Sequence, residues 1–303
     1  MAQKILLLYG GFSAEREVSI SAKDDISSAL KSKGYEVIEH NLVSVYNLLE
    51  TIKETKPDAV YNGLYGNWGE DGEIQSLFDM LQIPYTHSSA KSSVLGMDKD
   101  LSRLIAAQNG VKIARGVKTT FAEYQKNGSP IKFPYVVKPV ADGSSVGVFI
   151  VKNKQDAQKV NYLSSDTEIL VEEYITGREF TVMCLEGKAY CVTELKAKKE
   201  FYDYEAKYTS GMTEHILPAP IDDDVANTCK RYAEIMHNAL DCNTISRCDF
   251  RYNEQDGVVF LEINTNPGMT KLSLVPEQAR YVGISYADLC DKLVKNASCR
   301  KMK

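Results

Sequence analysis

The sequence predicts an α/β fold in which a parallel sheet comes first and two mixed α+β units follow. Strand and helix patterns alternate through about the first 95 residues, which is typical of a parallel sheet covered by helices. Near residue 96 the chain becomes richer in strand patterns. The 303 residues, of which 44% are hydrophobic and 25% charged, are enough for two domains or three smaller ones. We therefore divide the chain into units at 1–95, 96–178 and 179–303.

Three strand–helix pairs predict the N-terminal unit. The first strand is a short apolar run stopped by Gly10-Gly11, which is typical of a strand buried on both faces. The predicted strands lie at 5–9, 35–38 and 59–61. The predicted helices end at Gly34, before Pro57 and at Leu81.

The later units mix helices with strands that need not alternate. In the central unit we expect helices at 98–109 and 154–163 and strands at 135–138, 146–151 and 168–172. In the C-terminal unit we expect strands at 180–185 and 189–195, a helix at 225–240, a hairpin at 245–263 and a helix at 287–295.

Charge and cysteine content exclude several classes of protein. The 36 basic and 41 acidic residues give a net charge of −5, so a general affinity for nucleic acid or anionic membranes is not expected. The seven cysteines are odd in number and form no C-x-x-C pair, which favours reduced thiols in a cytoplasmic protein. The sequence also lacks a run of 18 apolar residues that would predict a membrane span.

The predicted hairpin at 245–263 carries the strongest chemical signal. If its loop holds an even number of residues, Asp249 lies opposite Phe260 and Arg247 lies opposite Glu262. An odd loop or a bulge would change this register.

Alternation at period two adds Asn264 to the face that carries Arg247, Asp249 and Glu262. Oxygen ligands without His or Cys suit a hard cation such as Mg²⁺, and an arginine beside them suits developing negative charge. The alternative is an exposed edge hairpin with a salt bridge.

A second signal is a strand that ends in Lys138 and continues into a Gly- and Ser-rich loop at 141–147. Small residues let backbone amides approach phosphate oxygens, and the lysine adds charge. An ordinary hairpin turn is the alternative, because the loop matches neither G-x-x-x-x-G-K-[ST] nor G-x-G-x-x-G.

Two loops of the N-terminal unit point to a ligand crevice. The loop at 10–17 joins the first strand to the first helix, where open α/β sheets bind ligands. We expect Ser13 to cap that helix, and helix-dipole stabilisation is the simple alternative role of Glu15 and Glu17. The loop at 63–72 is rich in glycine, which indicates unusual backbone angles or close approach of a ligand.

The segment at 201–208 is aromatic, charged and aperiodic. A long segment of this kind in a compact enzyme is often a lid, and a solvated surface loop is the alternative.

Together these segments resemble the D-alanine–D-alanine ligase family of ATP-grasp enzymes. The matching segments are GGFSAEREVS (10–19), GEDGEIQ (69–75), MDK (97–99), VVKPVADGSSVGV (136–148), VEEYITGREFTV (171–182), FYDYEAKY (201–208), RCDF (247–250) and LEINTNPGMTKLSLVP (261–276). Their order along the chain is that of the family.

The resemblance implies an ATP-grasp fold: an N-terminal parallel α/β domain, a central α+β lid domain and a C-terminal α+β domain that carries the metal site. Such enzymes phosphorylate one D-alanine carboxylate with ATP. The amine of a second D-alanine then attacks the acyl phosphate, which yields D-alanyl-D-alanine for cell-wall peptidoglycan.

The resemblance also assigns the ATP contacts. Lys99 and Lys138 would contact the phosphates. The loop from Gly143, with Ser144 and Ser145, would cover them.

Glu172 would meet the adenine amino group and Glu179 the ribose. Asp249, Glu262 and Asn264 match the family's ligands for Mg²⁺ or Mn²⁺, with two ions expected. This agrees with the hairpin argument.

For the chemical step, the resemblance implies that Arg247 and the Gly268 amide stabilise the tetrahedral oxyanion. Glu15 would hold the ammonium of the first D-alanine and link through Ser144 to Tyr208 on the lid.

Lys207 would approach the transferring phosphoryl group, and Ser273 the second carboxylate, with Leu274 in the same subsite. Two positions depart from the family: Tyr65 and Leu272 stand where histidine is usual. We expect Tyr65 to contribute a neutral hydroxyl to the first substrate site, and the alternative is that its ring only packs beside Trp68.

The resemblance further implies a homodimer whose ligands are small molecules. Two alternatives stay open at this point: a ligase that joins D-alanine to D-lactate or D-serine, and a non-catalytic nucleotide-sensing protein on the same fold.

Overall fold

The computed structural model describes residues 2–143, 146–197 and 213–301. Its N-terminal part pairs β1 (Lys4–Gly10) with β2 (Glu36–Leu42) and β3 (Ala59–Asn62) in a parallel sheet of order β2-β1-β3. The helices between and after these strands are α1 (Arg16–Ser32), α2 (Val45–Thr55) and α3 (Glu73–Leu81). The predicted parallel sheet is therefore confirmed.

β1 is apolar along most of its length, and both of its faces are covered by other side chains. Ile5 and Leu7 pack in one cluster with side chains of α1, whereas Leu6 and Leu8 pack in another with Leu48 of α2 and side chains of α3. A strand buried on both faces needs no polar residue in alternation, so its sequence reads as a continuous hydrophobic run.

The second sheet is antiparallel and has the order β4-β7-β5-β6. Its strands are β4 (Gly116–Thr120), β5 (Tyr135–Pro139), β6 (Phe149–Val151) and β7 (Glu168–Glu173). The helices of this part are α4 (Ala90–Met97), α5 (Lys99–Gln108), α6 (Phe121–Asn127) and α7 (Lys154–Ala157). The expected helix at 154–163 is wrong beyond its first turn, and α4, α6 and β4 were not anticipated.

The third sheet has the order β11-β10-β8-β12-β13, with β9 paired to β8. Its strands are β8 (Arg178–Leu185), β9 (Lys188–Ala189), β10 (Thr193–Ala197), β11 (Thr213–Ile216), β12 (Ile245–Asn253) and β13 (Gly257–Asn264). The helices are α8 (Asp223–Ala239), α9 (Leu274–Tyr281) and α10 (Tyr286–Lys295). The single strand expected at 189–195 is instead divided between β9 and β10.

Two helices join the sheets to one another. α5 packs on β13 and α8, so the first helix of the predicted central unit lies against the C-terminal sheet. α10 packs on α1 and β3, and its Leu289 and Leu293 share a buried cluster with Ile5 and Leu7. The N-terminal sheet therefore completes its core with side chains from the far end of the chain.

Among the described residues, none of the helices combines the length and apolar character that a membrane crossing requires. All seven cysteines are free thiols.

Candidate active site

The register of the β12–β13 hairpin differs from the predicted one. Asn253 pairs with Gly257, so the loop between them holds an odd number of residues. The expected pairs of Asp249 with Phe260 and of Arg247 with Glu262 are therefore wrong.

A β-bulge at Leu261 nevertheless brings the expected side chains together. Beyond the bulge, Asp249 pairs with Glu262 and Arg247 with Asn264. Directly paired residues of antiparallel strands share a face, and so do residues two apart on one strand. The odd loop alone would have placed Glu262 on the opposite face, and the extra residue restores it.

Asp249 is held by two neighbours. The guanidinium of Arg247 donates from Nε to Oδ1 at 3.0 Å and from Nη2 to Oδ2 at 2.8 Å. The hydroxyl of the buried Thr181, on β8, donates to Oδ1 at 2.6 Å. A fork-to-carboxylate pair of this kind fixes both partners in orientation. Thr181 was not predicted as a site residue, although its spacing of two from Glu179 on one strand could have indicated it.

The oxygen donors on this face fit a hard divalent cation. Glu262 Oε2 lies 3.9 Å from Lys99 Nζ, and Asn264 Oδ1 accepts from the Asn266 amide at 2.9 Å. Within the described ranges, His, Cys, Asp and Glu side chains form no group of three or more that could hold a metal ion. Two carboxylates and one amide would thus supply the protein ligands, and phosphate or water oxygens would complete the shell, as Mg²⁺ prefers.

A cleft lies between the central and C-terminal sheets, next to this face. Its empty space, including the part open to solvent, is about 840 Å³. Charged lining residues are Lys99, Lys138, Asp142, Glu172, Glu173, Glu179, Asp249, Arg251 and Glu262. Apolar lining residues include Val136, Val146, Val148, Ile150, Ile175 and Leu261. Charged groups that converge beside an apolar wall are typical of a cleft that binds a charged ligand.

Within the cleft, the predicted ATP-binding residues form ion pairs across neighbouring strands. Lys138 on β5 and Glu172 on β7 lie 2.6 Å apart, and each side chain is only 9% exposed. Glu179 and Arg251 lie 2.9 Å apart on the paired strands β8 and β12. Lys99 donates to the carbonyl of Asp142, which begins the Gly- and Ser-rich loop.

That loop connects the cleft to the start of α1. A Cβ atom built on Gly143 would lie 3.7 Å from both carboxylate oxygens of Glu15, so the Gly143 backbone closely approaches this side chain. Ser144 and Ser145, predicted to continue the loop over the phosphates, lie outside the described residues. So do Lys207 and Tyr208 of the predicted lid.

Ser13 does not cap α1 as expected. Glu15 occupies the N-cap position, and the Ser13 hydroxyl accepts from the Glu15 amide at 3.1 Å. The same hydroxyl donates to the Tyr65 carbonyl at 2.6 Å. The Ser13 hydroxyl therefore links the loop at 10–17 to the loop at 63–72 instead of capping the helix.

A second carboxylate, Glu70, lies near Glu15. Glu70 is buried. Its burial, and to a smaller extent repulsion from Glu15, raise the pKa of its carboxyl well above the usual range. Like-charged carboxylates in a desolvated site hold a proton more tightly. Glu70 was not predicted as a site residue, although it stands in the glycine-rich loop at 63–72.

Tyr65 is buried, with 2% of its surface exposed, and its hydroxyl accepts from the Met269 amide at 3.0 Å. Burial raises the pKa of this hydroxyl above its usual value, so the hydroxyl stays neutral. The neutral hydroxyl is as expected. The predicted contact with the first substrate stays a prediction.

The turn after β13 brings the remaining predicted residues together. Ser273 precedes α9, and its hydroxyl accepts from the Thr270 amide at 3.0 Å. A Cβ atom on Gly268 would lie 3.1 Å from that hydroxyl oxygen, so Gly268 and Ser273 are close neighbours. Leu274 is buried, whereas Leu272, at the second departure from the family pattern, is 68% exposed.

Comparison with known proteins agrees with this geometry. A family model described as D-ala D-ala ligase C-terminus matches residues 109–295. The D-alanine–D-alanine ligase of Ruegeria sp. (strain TM1040) is 43% identical over 301 residues, which cover 98% of this chain and 97% of the relative.

Solved structures are similar over the same length. The D-alanine–D-alanine ligase of Bacillus anthracis complexed with ATP matches with a TM-score of 0.82 and 31% identity, covering 98% of this chain and 97% of that one. The VanG D-Ala:D-Ser ligase of Enterococcus faecalis matches with a TM-score of 0.81 and 26% identity, covering 97% and 99%. From its sequence, its fold and these relatives, the chain belongs to the D-alanine–D-alanine ligase family of ATP-grasp enzymes.

Proposed function

We propose that this protein joins two D-alanine molecules at the expense of ATP, releasing ADP and phosphate, and so supplies the dipeptide for peptidoglycan synthesis. The observation that carries the proposal is the face formed by Arg247, Asp249, Glu262 and Asn264 beside a cleft lined by lysines. Full-length relatives at about 40% identity support the same activity.

In the first step, the γ-phosphoryl group moves to a carboxylate oxygen of the first D-alanine and ADP leaves. Lys99 and Lys138 lie on the cleft wall, where their ammonium groups can bind phosphate oxygens. Phosphate binding would replace the present contacts of Lys138 with Glu172 and of Lys99 with Asp142. Glu15, whose carboxylate lies beside the Gly143 backbone at the mouth of the phosphate loop, is proposed to bind the ammonium of the same substrate.

In the second step, the amine of the second D-alanine attacks the acyl carbon, loses a proton and expels phosphate. Arg247 offers a planar fork of donors, and the Gly268 amide offers one more, to the oxygen that gains charge. Ser273, close to Gly268, is proposed to bind the second carboxylate, with Leu274 beside it. We further propose that Lys207, Ser144, Ser145 and Tyr208 act as the family resemblance implies.

The metal ligands are proposed to be Asp249, Glu262 and Asn264, for Mg²⁺ or Mn²⁺ and with two ions. A divalent cation bound there would neutralise phosphate charge during transfer. Arg247 and Lys99, which now contact Asp249 and Glu262, would then be released toward the substrate oxygens.

The identity of the acceptor is tested directly by phosphate release, since one similar structure is a D-Ala:D-Ser ligase. Phosphate release should be measured with ATP and D-alanine, then with L-alanine in place of D-alanine, and then with D-alanine plus D-serine or D-lactate. We expect D-alanine alone to support the full rate and L-alanine none. Faster release with D-serine or D-lactate would reassign the acceptor.

The same assay separates an enzyme from a nucleotide sensor. ADP formation that requires D-alanine identifies a ligase, whereas ATP binding without D-alanine-dependent turnover would identify a sensor.

We also propose that the protein is a cytoplasmic homodimer and that its three sheets mark units at 1–95, 96–178 and 179–303.

A further inference from the structure

We infer that Tyr65 is a positioning residue that holds the Asn266–Met269 turn, and with it the Gly268 amide, in place against the start of α1. The inference rests on the proposed function, since it assigns Tyr65 an effect on the step in which the peptide bond forms. It also differs from the expectation that the Tyr65 hydroxyl contacts the first substrate.

The turn is attached to the loop at 63–72 at two points. The Met269 amide donates to the Tyr65 hydroxyl at 3.0 Å, and the Asn266 side-chain amide donates to the Leu64 carbonyl at 2.7 Å. On the other side, the Tyr286 hydroxyl of α10 donates to the Met269 carbonyl at 2.6 Å. Both polar groups of the Met269 backbone are thus bonded to tyrosine hydroxyls, one from each side of the turn.

Tyr65 also connects this turn to Glu15. The Tyr65 carbonyl accepts from the Ser13 hydroxyl, which in turn accepts from the Glu15 amide at 3.1 Å. Hydrogen bonds at the two ends of Tyr65 therefore connect Glu15, proposed to hold the first ammonium, to Met269. Met269 directly follows Gly268, whose amide is proposed to hold the oxyanion. This connection sets the separation between two groups that must contact the same substrate molecule.

The hydroxyl of Tyr65 suits this task better than a group that titrates near neutral pH would. The Met269 amide is a neutral donor in a buried site, and leaving it without an acceptor would be costly. The pKa of Tyr65 is raised by burial, so its hydroxyl keeps one protonation state throughout the range in which enzymes work. A histidine at this position would titrate near neutral pH unless its environment prevented it.

The test is Tyr65→Phe, which keeps the buried ring and removes the acceptor of the Met269 amide. We expect kcat for dipeptide formation to fall about tenfold to a hundredfold, because small displacements of a reacting group have effects of that size. KM for ATP should stay within about twofold, since the nucleotide cleft does not include Tyr65.

A partial reaction separates positioning from direct substrate contact. With ATP labelled by ¹⁸O in its β,γ bridge and D-alanine at saturation, reversible phosphorylation of the first substrate scrambles the label. We expect Tyr65→Phe to scramble at nearly the wild-type rate while peptide formation is slow. A rise in the first D-alanine KM with unchanged kcat would overturn the inference in favour of direct contact.

The matched control is Tyr61→Phe, which removes a hydroxyl from the same buried cluster. The Tyr61 hydroxyl donates to Cys290 Sγ at 3.9 Å, so removing it leaves both hydrogen bonds of the Met269 backbone in place. We expect this variant to retain the wild-type kcat. An equal loss of kcat in both variants would show a general packing effect and would overturn the inference.

A measurement on the free protein keeps the inference separate from the proposed activity. Hydrogen exchange of the Met269 amide should accelerate at least tenfold in Tyr65→Phe and remain unchanged in Tyr61→Phe. Unchanged exchange would refute the contact even if the enzyme is a ligase. Accelerated exchange in a protein without ligase activity would instead refute the proposed function and leave the turn assignment standing.

Discussion

Replacing Glu172 by Gln should destabilise the sheet that forms one wall of the cleft. Glu172 on β7 pairs with Lys138 on β5 at 2.6 Å, and both side chains are 9% exposed. Removing one partner of a buried pair leaves an uncompensated charge, which typically costs about 3–5 kcal/mol. The carboxamide can still accept a hydrogen bond from the lysine, so we expect the lower end, about 3 kcal/mol.

The same strand provides a matched control. Glu168, four residues earlier on β7, pairs with Lys118 on β4 at 2.9 Å, but these side chains are 58% and 34% exposed. Exposed pairs contribute at most about 1 kcal/mol. Glu168→Gln removes the same charge from the same sheet, so it isolates the effect of burial.

The measurement is denaturant unfolding without nucleotide, together with hydrogen exchange of amides in β5 and β7. Glu172→Gln should lower the free energy of unfolding of this sheet by about 3 kcal/mol, and Glu168→Gln by less than about 1 kcal/mol. Equal losses in the two variants would contradict the reasoning, because burial would then make no difference to the value of the pair.

Three further predictions concern the metal face and the response to acid. Glu262→Gln should weaken Mn²⁺ binding at least tenfold, measured by the electron paramagnetic resonance signal of free Mn²⁺, and lower turnover by orders of magnitude; unchanged binding would remove Glu262 from the ligand set. Arg247→Lys should lower kcat by about 10²–10³ with little change in ATP affinity, and an equal loss of ATP affinity would place Arg247 in the nucleotide site. Burial lowers the pKa of His87 to about 3 and that of His237 to about 4. Both stay neutral in the native state, so their contribution is present above about pH 6.5 and is lost as the pH falls toward 4, with a slope of up to about 2.7 kcal/mol per pH unit. Unfolding free energies measured from pH 7 to pH 4 should show this decline, and a flat profile would contradict it.

The hairpin shows how far the sequence could predict the site. Alternation placed Arg247 and Asp249 on one face, and both do lie together with Glu262 and Asn264. The pairing itself was wrong, because loop parity and the bulge at Leu261 depend on the local backbone and on contacts with other strands. The composition of this face was therefore predicted correctly only because the odd loop and the bulge offset each other, and neither was accessible from residue types and period two.

The N-terminal unit was predicted more completely than the rest. Its strands β1 and β3 are buried on both faces, so long-range packing and local pattern agree there. By contrast, β4 contains Val117 and Lys118 exposed to solvent and so lacks a strong apolar pattern. The role of Ser13 was missed because its hydroxyl bonds to Tyr65, a partner 52 residues away in the chain.

The packing of α10 has a consequence for how the chain folds during synthesis. The apolar face that β1 and α1 present to Leu289 and Leu293 has no cover until those residues have been made. The stretch from Tyr85, whose backbone pairs with Ser298, to the end of α10 is about 200 residues long. At about 5–20 residues per second, the ribosome needs roughly 10–40 s to make it. During that interval the first sheet exposes a hydrophobic surface, so a nascent chain or a fragment that stops before α10 should bind chaperones that the finished protein does not.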